Sequence, residues 1–317
     1  MRNSIRRLKS RVVANVAVLA SCLMLLPAAA TAADHGGTMM RTRSVFLILL
    51  ENHNWKDIHG SPKAPFLNSL LAQGAFATGY MGVPGLHPSE PNYIWLLSGN
   101  AFGIANDAEP AVNGLSGRNN VASQLMVKGL EWRSYQEGID GHDCPLDTRL
   151  PYVAKHNPFV FYDQLTDRFS PTSPTCIAHN RPFSELQTDL AAGKPISFAF
   201  ITPDECNDMH GHEVCRKDHP DYDPVRQGDS WLSRTVPMIQ ASDAYRHDGL
   251  IIITWDESEG RQDQPIGLIL LSPNIRQGYV HQGTLTHSAV LRTVENVFGL
   301  PPLGNAASSP DLADFFR

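Results

Sequence analysis

The sequence predicts an α/β fold of three layers, with a doubly wound, mostly parallel sheet between two layers of helices. Four apolar runs have the length of strands and are apolar throughout, as strands buried on both faces of a parallel sheet are. They cover Val45–Leu50, Ile196–Ile201, Leu250–Trp255 and Gly267–Leu271. Helical patterns lie between and around these runs, and alternation of strands with helices is typical of doubly wound sheets.

Five segments carry the apolar period of a helix, at Ala64–Gln73, Pro91–Leu97, Val121–Lys128, Trp231–Ala241 and Ser288–Phe298. The segment from Phe102 to His179 is rich in Gly, Pro and Asn and shows little clear periodicity. We therefore predict that residues 102–179 form an insertion or cap. Residues 34–317 contain no internal repeat and no low-complexity linker, so one domain is expected there.

The first 33 residues have the pattern of a secretory signal peptide. Met1–Arg11 carries five basic side chains and no acidic one, Val12–Leu26 is largely apolar, and Ala30–Ala33 supplies the small residues of a cleavage site. A membrane anchor needs about 20 unbroken apolar residues, whereas Asn15 and Ser21 interrupt this run. We expect cleavage near residue 33 and export to the periplasm or the medium.

Two variants of this signal stay open. Arg6-Arg7 fits a twin-arginine signal, and the residues Leu19-Ala20-Ser21-Cys22 resemble a lipoprotein box. The apolar stretch continues past Cys22, which argues against lipid attachment there.

The charge of the chain limits its partners. Removing residues 1–33 leaves 21 basic and 32 acidic side chains, a net charge of −11. This charge repels nucleic acid and anionic membranes at long range, so we expect no nucleic-acid partner and no stable membrane insertion. It suits an enzyme whose site obtains positive charge locally, from a metal. The sequence gives no indication of the oligomeric state.

Four cysteines remain after the signal: Cys144, Cys176, Cys206 and Cys215. An even number in an exported chain favours two disulfides over free thiols. Of the three pairings we prefer that of sequence neighbours, 144–176 and 206–215. A zinc site is the alternative, and the spacing contains no C-x₂-C pair of the kind such sites use.

Acidic and amide side chains follow three of the predicted strands. Glu51-Asn52 ends the first, Asp204 follows the second, and Asp256-Glu257 ends the third. Because ligand sites of such sheets form at the carboxyl ends of strands, we expect these groups to converge. Adjacent buried carboxylates repel each other unless a cation lies between them. Their oxygen ligands suit one divalent ion, Ca, Mg or Mn, while Zn stays open.

Ser89 is the candidate nucleophile. It precedes Pro91 and an apolar helical run, so it is expected at a helix N-terminus, where backbone N–H groups and the helix dipole favour a phosphate. Beside a metal, its hydroxyl would ionise more easily and attack phosphorus. The alternative is a serine that only caps the helix. Asn92 lies one turn further on and could donate a hydrogen bond to a phosphoryl oxygen.

Two histidines are candidates for proton transfer, a role that suits an imidazole. His210 lies in a loop of acids and amides, Pro203–His212, and His287 opens the last predicted helix. The alternatives are a solvated loop histidine and a bystander at a helix start.

Five short motifs together resemble the bacterial and fungal phosphoesterase family that joins acid phosphatases with phosphocholine-type phospholipases C. They are Glu51-Asn52, His87-Pro88-Ser89-x-Pro91-Asn92-Tyr93, Pro203-Asp204-x-Cys206-Asn207-Asp208-Met209-His210, Thr254-Trp255-Asp256-Glu257 and Thr286-His287-Ser288. The match extends from Val45 to Phe316. It implies an alkaline-phosphatase-like fold and cleavage of phosphate esters through a phosphoserine or phosphothreonine intermediate.

The resemblance also implies roles for single residues. Ser89 is similar to the nucleophile of the family, and His210 and His287 resemble the histidines of its phosphate pocket. Less specifically, the motifs place four further residues near the phosphate, His87, Asn92, Asn207 and Asp208. The implied ligands of one divalent metal are Glu51, Asn52, Ser89, Asp256 and Glu257. The complete Asp/His ligand set of two-zinc alkaline phosphatases is not present, which puts a second metal in doubt.

We therefore predict an exported, metal-dependent phosphatase that hydrolyses small phosphate monoesters through a phosphoserine. One alternative is a phosphodiesterase or phospholipase C with the same metal centre. Another is a non-catalytic binding protein on this fold. A sulfatase is excluded, since Tyr93 stands where its motif requires arginine. The sequence does not identify the substrate.

Overall fold

The computed structural model describes residues 35–217, 221–260 and 262–317, and these residues form one sheet of eight strands. In chain order the strands are β1 Ser44–Leu50, β2 Ala75–Ala77, β3 Trp132–Gln136, β4 Asn180–Pro182, β5 Phe198–Thr202, β6 Gly249–Trp255, β7 Leu268–Leu271 and β8 Val280–His281. Their order across the sheet is β4-β3-β5-β1-β6-β7-β2-β8. The sheet is mostly parallel, which confirms the predicted fold class.

The strand β7 is the exception, because it runs antiparallel to both of its neighbours, β6 and β2. The prediction of a fourth parallel strand over Gly267–Leu271 was therefore wrong in direction. A parallel return needs a crossover, usually a helix on one face of the sheet. The described residues between β6 and β7 contain no helix, so the chain turns back beside β6 instead.

The central strands β5, β1 and β6 position the site. Every residue of these three strands is buried, as the continuous apolar runs predict for strands covered on both faces. The strands β1 and β6 pair in register from Ser44 with Gly249 to Leu50 with Trp255. They therefore end side by side, and the next residues, Glu51 and Asp256, leave the sheet together.

Helices cover the sheet in two groups. The α-helices are α1 His35–Met39, α2 Trp55–Ile58, α3 Pro65–Gln73, α4 Ser89–Ser98, α5 Pro110–Asn113, α6 Val121–Val127, α7 Pro174–His179, α8 Glu185–Ala191, α9 Glu213–Arg216, α10 Pro224–Gln240, α11 Asp243–Arg246 and α12 His287–Phe298. Short 3₁₀ helices lie at Ala154–His156, Pro158–Phe161, Gly304–Ser308 and Ala313–Phe315. The helix α4 contacts α6 and α12, while α10 contacts α3, α8 and α11.

Most predicted helices are present with ends shifted by a few residues, and α10 is the largest difference. It begins at Pro224 rather than Trp231, because Asp223 caps it by accepting a hydrogen bond from the Arg226 N–H. Within the described ranges, no helix combines the length and the apolar character that crossing a membrane requires.

Part of the segment expected as an insertion belongs to the sheet. Residues Trp132–Gln136, inside the predicted insertion 102–179, form β3 and pair with β5 over their whole length. Four of its five residues, Trp132, Ser134, Tyr135 and Gln136, are buried. The rest of the segment consists of short helices and loops, several of which contact α4.

Both disulfides have the predicted pairing. Cys144 is joined to Cys176, and Cys206 to Cys215. The second closes the loop that follows β5, next to Asn207 and Asp208. The predicted signal peptide, residues 1–33, lies outside the described residues.

Candidate active site

The carboxyl ends of β1 and β6 form the centre of the candidate site. The backbone N–H of Asn52 donates to Oδ1 of Asp256 at 2.9 Å. Asn52 has a φ of 39°, in the left-handed region that asparagine tolerates better than most residues. The side-chain amide nitrogen of Asn52 contacts the Glu51 carboxylate and lies 3.5 Å from Oγ of Ser89. The predicted convergence of these strand ends with Ser89 is therefore present.

Ser89 is the first residue of α4, and Pro88 occupies the N-cap position. Ser89 therefore does not occupy the cap position that the alternative role required. The hydroxyl is instead available at the side of Asn52 and Glu51. Ser89 is buried except for 2% of its surface, which leaves a narrow approach for a substrate phosphorus.

The first turn of α4 offers fewer donors to a phosphate than the sequence suggests. The backbone N–H of Glu90 donates to Oδ1 of Asp107 at 3.0 Å, and Pro91 has no N–H. Of the first three helical residues, two therefore have no backbone N–H group that could donate to a phosphoryl oxygen. Most of the positive charge that a phosphate requires must therefore come from a source other than this helix turn.

The carboxylates of Glu51 and Asp256 are buried and close enough to influence each other. Burial, then the charges of Glu51 and Glu257, raise the pKa of Asp256 well above its ordinary value. Burial also acts to raise the pKa of Glu51, but its neighbours, His156 first, outweigh it and hold that pKa well below the ordinary value. The pair therefore carries one negative charge unless a cation stabilises a second.

The residues at these strand ends fit a divalent cation. Oδ2 of Asp256 is fully buried and has no hydrogen-bond partner, and an unpaired buried carboxylate oxygen is costly without a cation. Glu51, Ser89 and Glu257 add oxygen ligands of the hard type. The Asn52 amide presents its nitrogen to Glu51, so ligation through its oxygen requires a half-turn of the amide.

Glu257 contacts His87, the residue expected near the phosphate. The Glu257 carboxylate contacts Nδ1 of His87, and Nε2 of His87 lies 3.2 Å from Oδ1 of Asp263. Burial raises the pKa of Glu257 to about 7, against the effect of His87, which lowers it. His87 thus lies between two carboxylates at the rim of the site.

A second group of buried side chains that could bind a metal lies next to Glu51. Of its members, the sequence indicated only Asp208. His156, Glu205 and Asp208 offer ligand atoms that all lie within 4.8 Å of one another. Nε2 of His156 lies 2.7 Å from Oε1 of Glu51. The ring of His156 stacks on Tyr93 of α4, with ring centroids 4.9 Å apart. Glu205 stands inside one of the sequence motifs, but nothing in the sequence around His156 indicates this position.

A model described as the Phosphoesterase family matches residues 58–301. The chain belongs to the Phosphoesterase family. A curated relative, "Phosphatidylinositol-3-phosphatase" of Mycobacterium tuberculosis, is 30% identical over 273 residues, covering 86% of this chain and 82% of that protein. "Acid phosphatase" of Aspergillus fumigatus is 29% identical over 270 residues, covering 82% of this chain and 55% of that protein. The chain is therefore a hydrolase of phosphoric ester bonds.

Solved structures agree with the fold at low identity. A phosphonate monoester hydrolase from Silicibacter pomeroyi has a TM-score of 0.55 at 14% identity, over 86% of this chain and 76% of that one. A protein of the alkaline phosphatase superfamily from Vibrio parahaemolyticus has a TM-score of 0.56 at 13% identity, over 85% and 70% of the two chains. This likeness shows the alkaline-phosphatase-like fold of the phosphoesterase.

His287 of this phosphoesterase is fully buried and cannot serve as the predicted proton donor. Its Nε2 lies 2.5 Å from the Asp256 carbonyl oxygen, and its Nδ1 lies 2.8 Å from the Tyr80 hydroxyl. A carbonyl only accepts, so Nε2–H donates, and Nδ1 accepts from Tyr80. Burial lowers the pKa of His287 to about 4. A neutral ring with both nitrogens occupied positions the end of β6 instead.

His210 is the histidine that remains suited to proton transfer. Half of its side chain is exposed, and its Nδ1 lies 3.8 Å from Oε2 of Glu51. The Asp208 carboxylate fixes the loop by accepting from the backbone N–H groups of His210 and Gly211. His210 therefore lies between the Glu51 carboxylate and solvent.

Two amides expected at the phosphate are occupied by other groups. Asn92 donates to the carbonyls of Leu86 and Pro88 and accepts from the Val83 N–H. Its side chain thus braces the loop before Ser89 and leaves no N–H for a phosphate.

Asn207 is occupied in the same way. It donates to Glu137 and Asp204 and accepts from Gln227. Asp204, expected at the converging strand ends, also accepts from the Cys206 N–H. These residues hold the loop after β5, from which Glu205 and Asp208 reach the site.

Proposed function

We propose that this phosphoesterase is an exported, metal-dependent phosphatase that transfers the phosphoryl group of a monoester to Ser89. The position of the Ser89 hydroxyl supports this most, because it lies beside the Asn52 amide, at the ends of β1 and β6. A hydroxyl that only stabilised the helix would not need a neighbouring group of buried carboxylates. The proposed ligands of the cation are Glu51, Asn52, Ser89, Asp256 and Glu257.

Each residue then has one task. With a divalent cation bound there, the Ser89 hydroxyl would lose its proton more readily and the phosphoryl oxygens would be polarised. Ser89 Oγ gives its proton to solvent and forms a bond to phosphorus while the bond from phosphorus to the leaving oxygen breaks; Oγ takes up a proton again when water later displaces it. His210 donates a proton to that oxygen, and then accepts one from the water that hydrolyses the phosphoserine. His287 keeps the Asp256 backbone in place.

The substrate is proposed to be a small phosphate monoester. The names of the fungal relatives agree with a general acid phosphatase. The name of the mycobacterial relative adds phosphorylated inositol lipid as a candidate, since that protein matches this chain over most of both lengths. The two disulfides fit an oxidising compartment, which supports export to the periplasm or the medium.

Trapping the intermediate tests the proposal. Acid quenching during turnover of a ³²P-labelled monoester is expected to leave the label on the peptide that contains Ser89, because phosphoserine is stable to acid. Ser98 belongs to the same helix, and its hydroxyl donates to the Ile94 carbonyl, so S98A is the matched control and should trap the label normally. Turnover without label on the Ser89 peptide would show direct attack by water.

The role of His210 predicts a dependence on the leaving group. His210→Ala is expected to slow an alkyl phosphate by about 10²-fold or more, the usual contribution of a general acid. Hydrolysis of p-nitrophenyl phosphate should slow much less, because its leaving group needs no proton. Equal losses of kcat on both substrates would contradict the assignment. His212→Ala is the control from the same loop.

A further inference from the structure

We propose that His156, Glu205 and Asp208 hold a second divalent cation, and that Glu51 bridges it to the first. This site goes beyond the proposed function, although the bridge rests on the cation proposed there. The three residues come from two separate parts of the chain. His156 ends the 3₁₀ helix Ala154–His156, while Glu205 and Asp208 lie in the loop after β5, Glu205 just before and Asp208 inside the segment closed by the Cys206–Cys215 disulfide.

The spacing of the ligand atoms fits one ion. The donors of His156, Glu205 and Asp208 all lie within 4.8 Å of one another. Nitrogen and oxygen ligands lie about 2.0 to 2.4 Å from Zn, Mn or Ca. Opposite ligands of such an ion are therefore at most about 4.8 Å apart, and neighbouring ones are closer.

Among the described residues, several polar atoms of this cluster make no hydrogen bond. Oε1 of Glu205, Oδ2 of Asp208 and both ring nitrogens of His156 are buried without a hydrogen bond. His156 is 2% exposed and Asp208 is fully buried. Buried polar atoms are normally paired. One nitrogen of His156 and one oxygen each of Glu205 and Asp208 lie close enough to bind one cation in common.

The contact between His156 and Glu51 supports the same conclusion. Nε2 of His156 lies 2.7 Å from Oε1 of Glu51, yet neither atom makes a hydrogen bond of acceptable geometry. A hydrogen bond at that distance would normally be well aligned. Two neighbouring ligands of one ion approach each other without such alignment, which gives Glu51 a place in the second site.

The number of carboxylates gathered at the site also favours more than one ion. Glu51, Glu205, Asp208, Asp256 and Glu257 are all buried, with at most 7% of any one exposed. One divalent cation offsets two of these five carboxylates. Lys155 is nearby, but its Nζ lies 3.2 Å from Asp107, so its charge is shared with a sixth carboxylate. A second divalent cation removes most of the remaining excess.

The two sites differ in ligand chemistry. An imidazole with carboxylates suits Zn or Mn, whereas the all-oxygen ligands of the first site suit Ca, Mg or Mn. Mn²⁺ is therefore the probe that both sites should accept. Two ions that share the Glu51 carboxylate would be about 4 Å apart, as in two-metal phosphatases.

Counting and coupling of bound Mn²⁺ tests the proposal on the full-length mature protein. Calorimetric titration of the wild type is expected to give two ions per chain, and electron paramagnetic resonance should show magnetic coupling between them. Asp208→Asn keeps the oxygen that accepts from the His210 and Gly211 N–H groups. It should fold, bind one ion and lose the coupling.

Two further variants complete the experiment. Glu205→Gln repeats the test should D208N fail to fold, and it should also bind one ion. Asp229→Asn is the control, because Asp229 is a buried carboxylate that accepts from the Phe66 and Leu67 N–H groups at the start of α3. It should bind two ions with normal coupling.

A wild type that binds a single ion would overturn the proposed pair of bridged sites. Asp256→Asn then separates this failure from that of the proposed function. If the single ion is lost in D256N but kept in D208N, the first site stands and only the second is wrong. If the ion is kept in D256N and lost in D208N, the ion lies at His156, Glu205 and Asp208, and the metal ligands proposed at β6 are wrong.

Discussion

Replacing Ser89 with alanine is expected to lower kcat by about 10⁴-fold or more, as removal of a covalent nucleophile does in other enzymes. Binding of inorganic phosphate should stay within about threefold of the wild type, since the proposed metal ligands other than Ser89 remain. Competitive inhibition by phosphate and single-turnover rates measure the two quantities. This separation distinguishes a nucleophile from a binding residue.

Loss of stability cannot account for such an effect. Ser89 follows the N-cap Pro88, and its closest polar contact is the 3.5 Å approach to the Asn52 amide. The change in the free energy of unfolding should therefore be below the cost of losing a helix cap, about 1 kcal/mol. S98A is the control, because Ser98 loses a real hydrogen bond to Ile94 and should keep its activity. Near-normal turnover of S89A would remove Ser89 from the mechanism.

The parts of the fold that could be predicted are those with a local signal. The runs Val45–Leu50 and Leu250–Trp255 are apolar throughout and became the central strands β1 and β6. The strand β3, Trp132–Gln136, contains arginine, serine and glutamine and shows no such run. Its pairing with β5 depends on neighbours that are distant in sequence, which no local pattern contains.

The residues of the candidate site also divide into those with a local sequence signal and those without one. Glu51, Asn52, Asp256 and Glu257 directly follow strands, so the topology of the sheet implies their meeting. His156 reaches Glu51 from a segment that lacks periodicity, and its position depends on stacking against Tyr93. Only the packed structure contains that information.

For His287 and Asn92 the sequence predicted a direct role that the structure does not support. Both stand in motifs of the family, and both proved to be occupied by structural hydrogen bonds. A motif locates a residue near the chemistry, but it does not distinguish a group that contacts substrate from one that positions its neighbour. Burial and the identity of each partner make that distinction here.

Replacing Asp256 with asparagine is expected to remove the cation held at the ends of β1 and β6. Oδ1 of the new side chain can still accept from the Asn52 N–H, as Asp256 does at 2.9 Å. The unpaired, buried Oδ2 becomes an NH₂ group, which cannot bind a cation. Turnover should fall by about 10³-fold or more, since it depends on electrostatic stabilisation of charge that develops during phosphoryl transfer.

In the absence of metal, D256N is expected to keep or raise the thermal stability of the protein, although it lowers turnover. Burial and two neighbouring carboxylates raise the pKa of Asp256 in the folded state, so ionising it above its unfolded pKa destabilises the fold, and lower pH relieves that cost. D256N removes this cost at neutral pH. The chelated variant should therefore unfold at a temperature equal to or above that of the chelated wild type.

With added cation, the wild type should instead unfold at a higher temperature than D256N. A ligand at 100 times its Kd stabilises the folded state by about 2.7 kcal/mol, and the wild type alone should gain this amount from the first site. Thermal unfolding with EDTA and with Mn²⁺, together with the metal content of dialysed protein, measures both effects. D229N serves as the control: it loses one hydrogen bond at the start of α3, so its unfolding temperature should fall in both conditions, while its metal content and its gain from Mn²⁺ should equal those of the wild type. Normal turnover of D256N with undiminished metal content would place the cation away from β6.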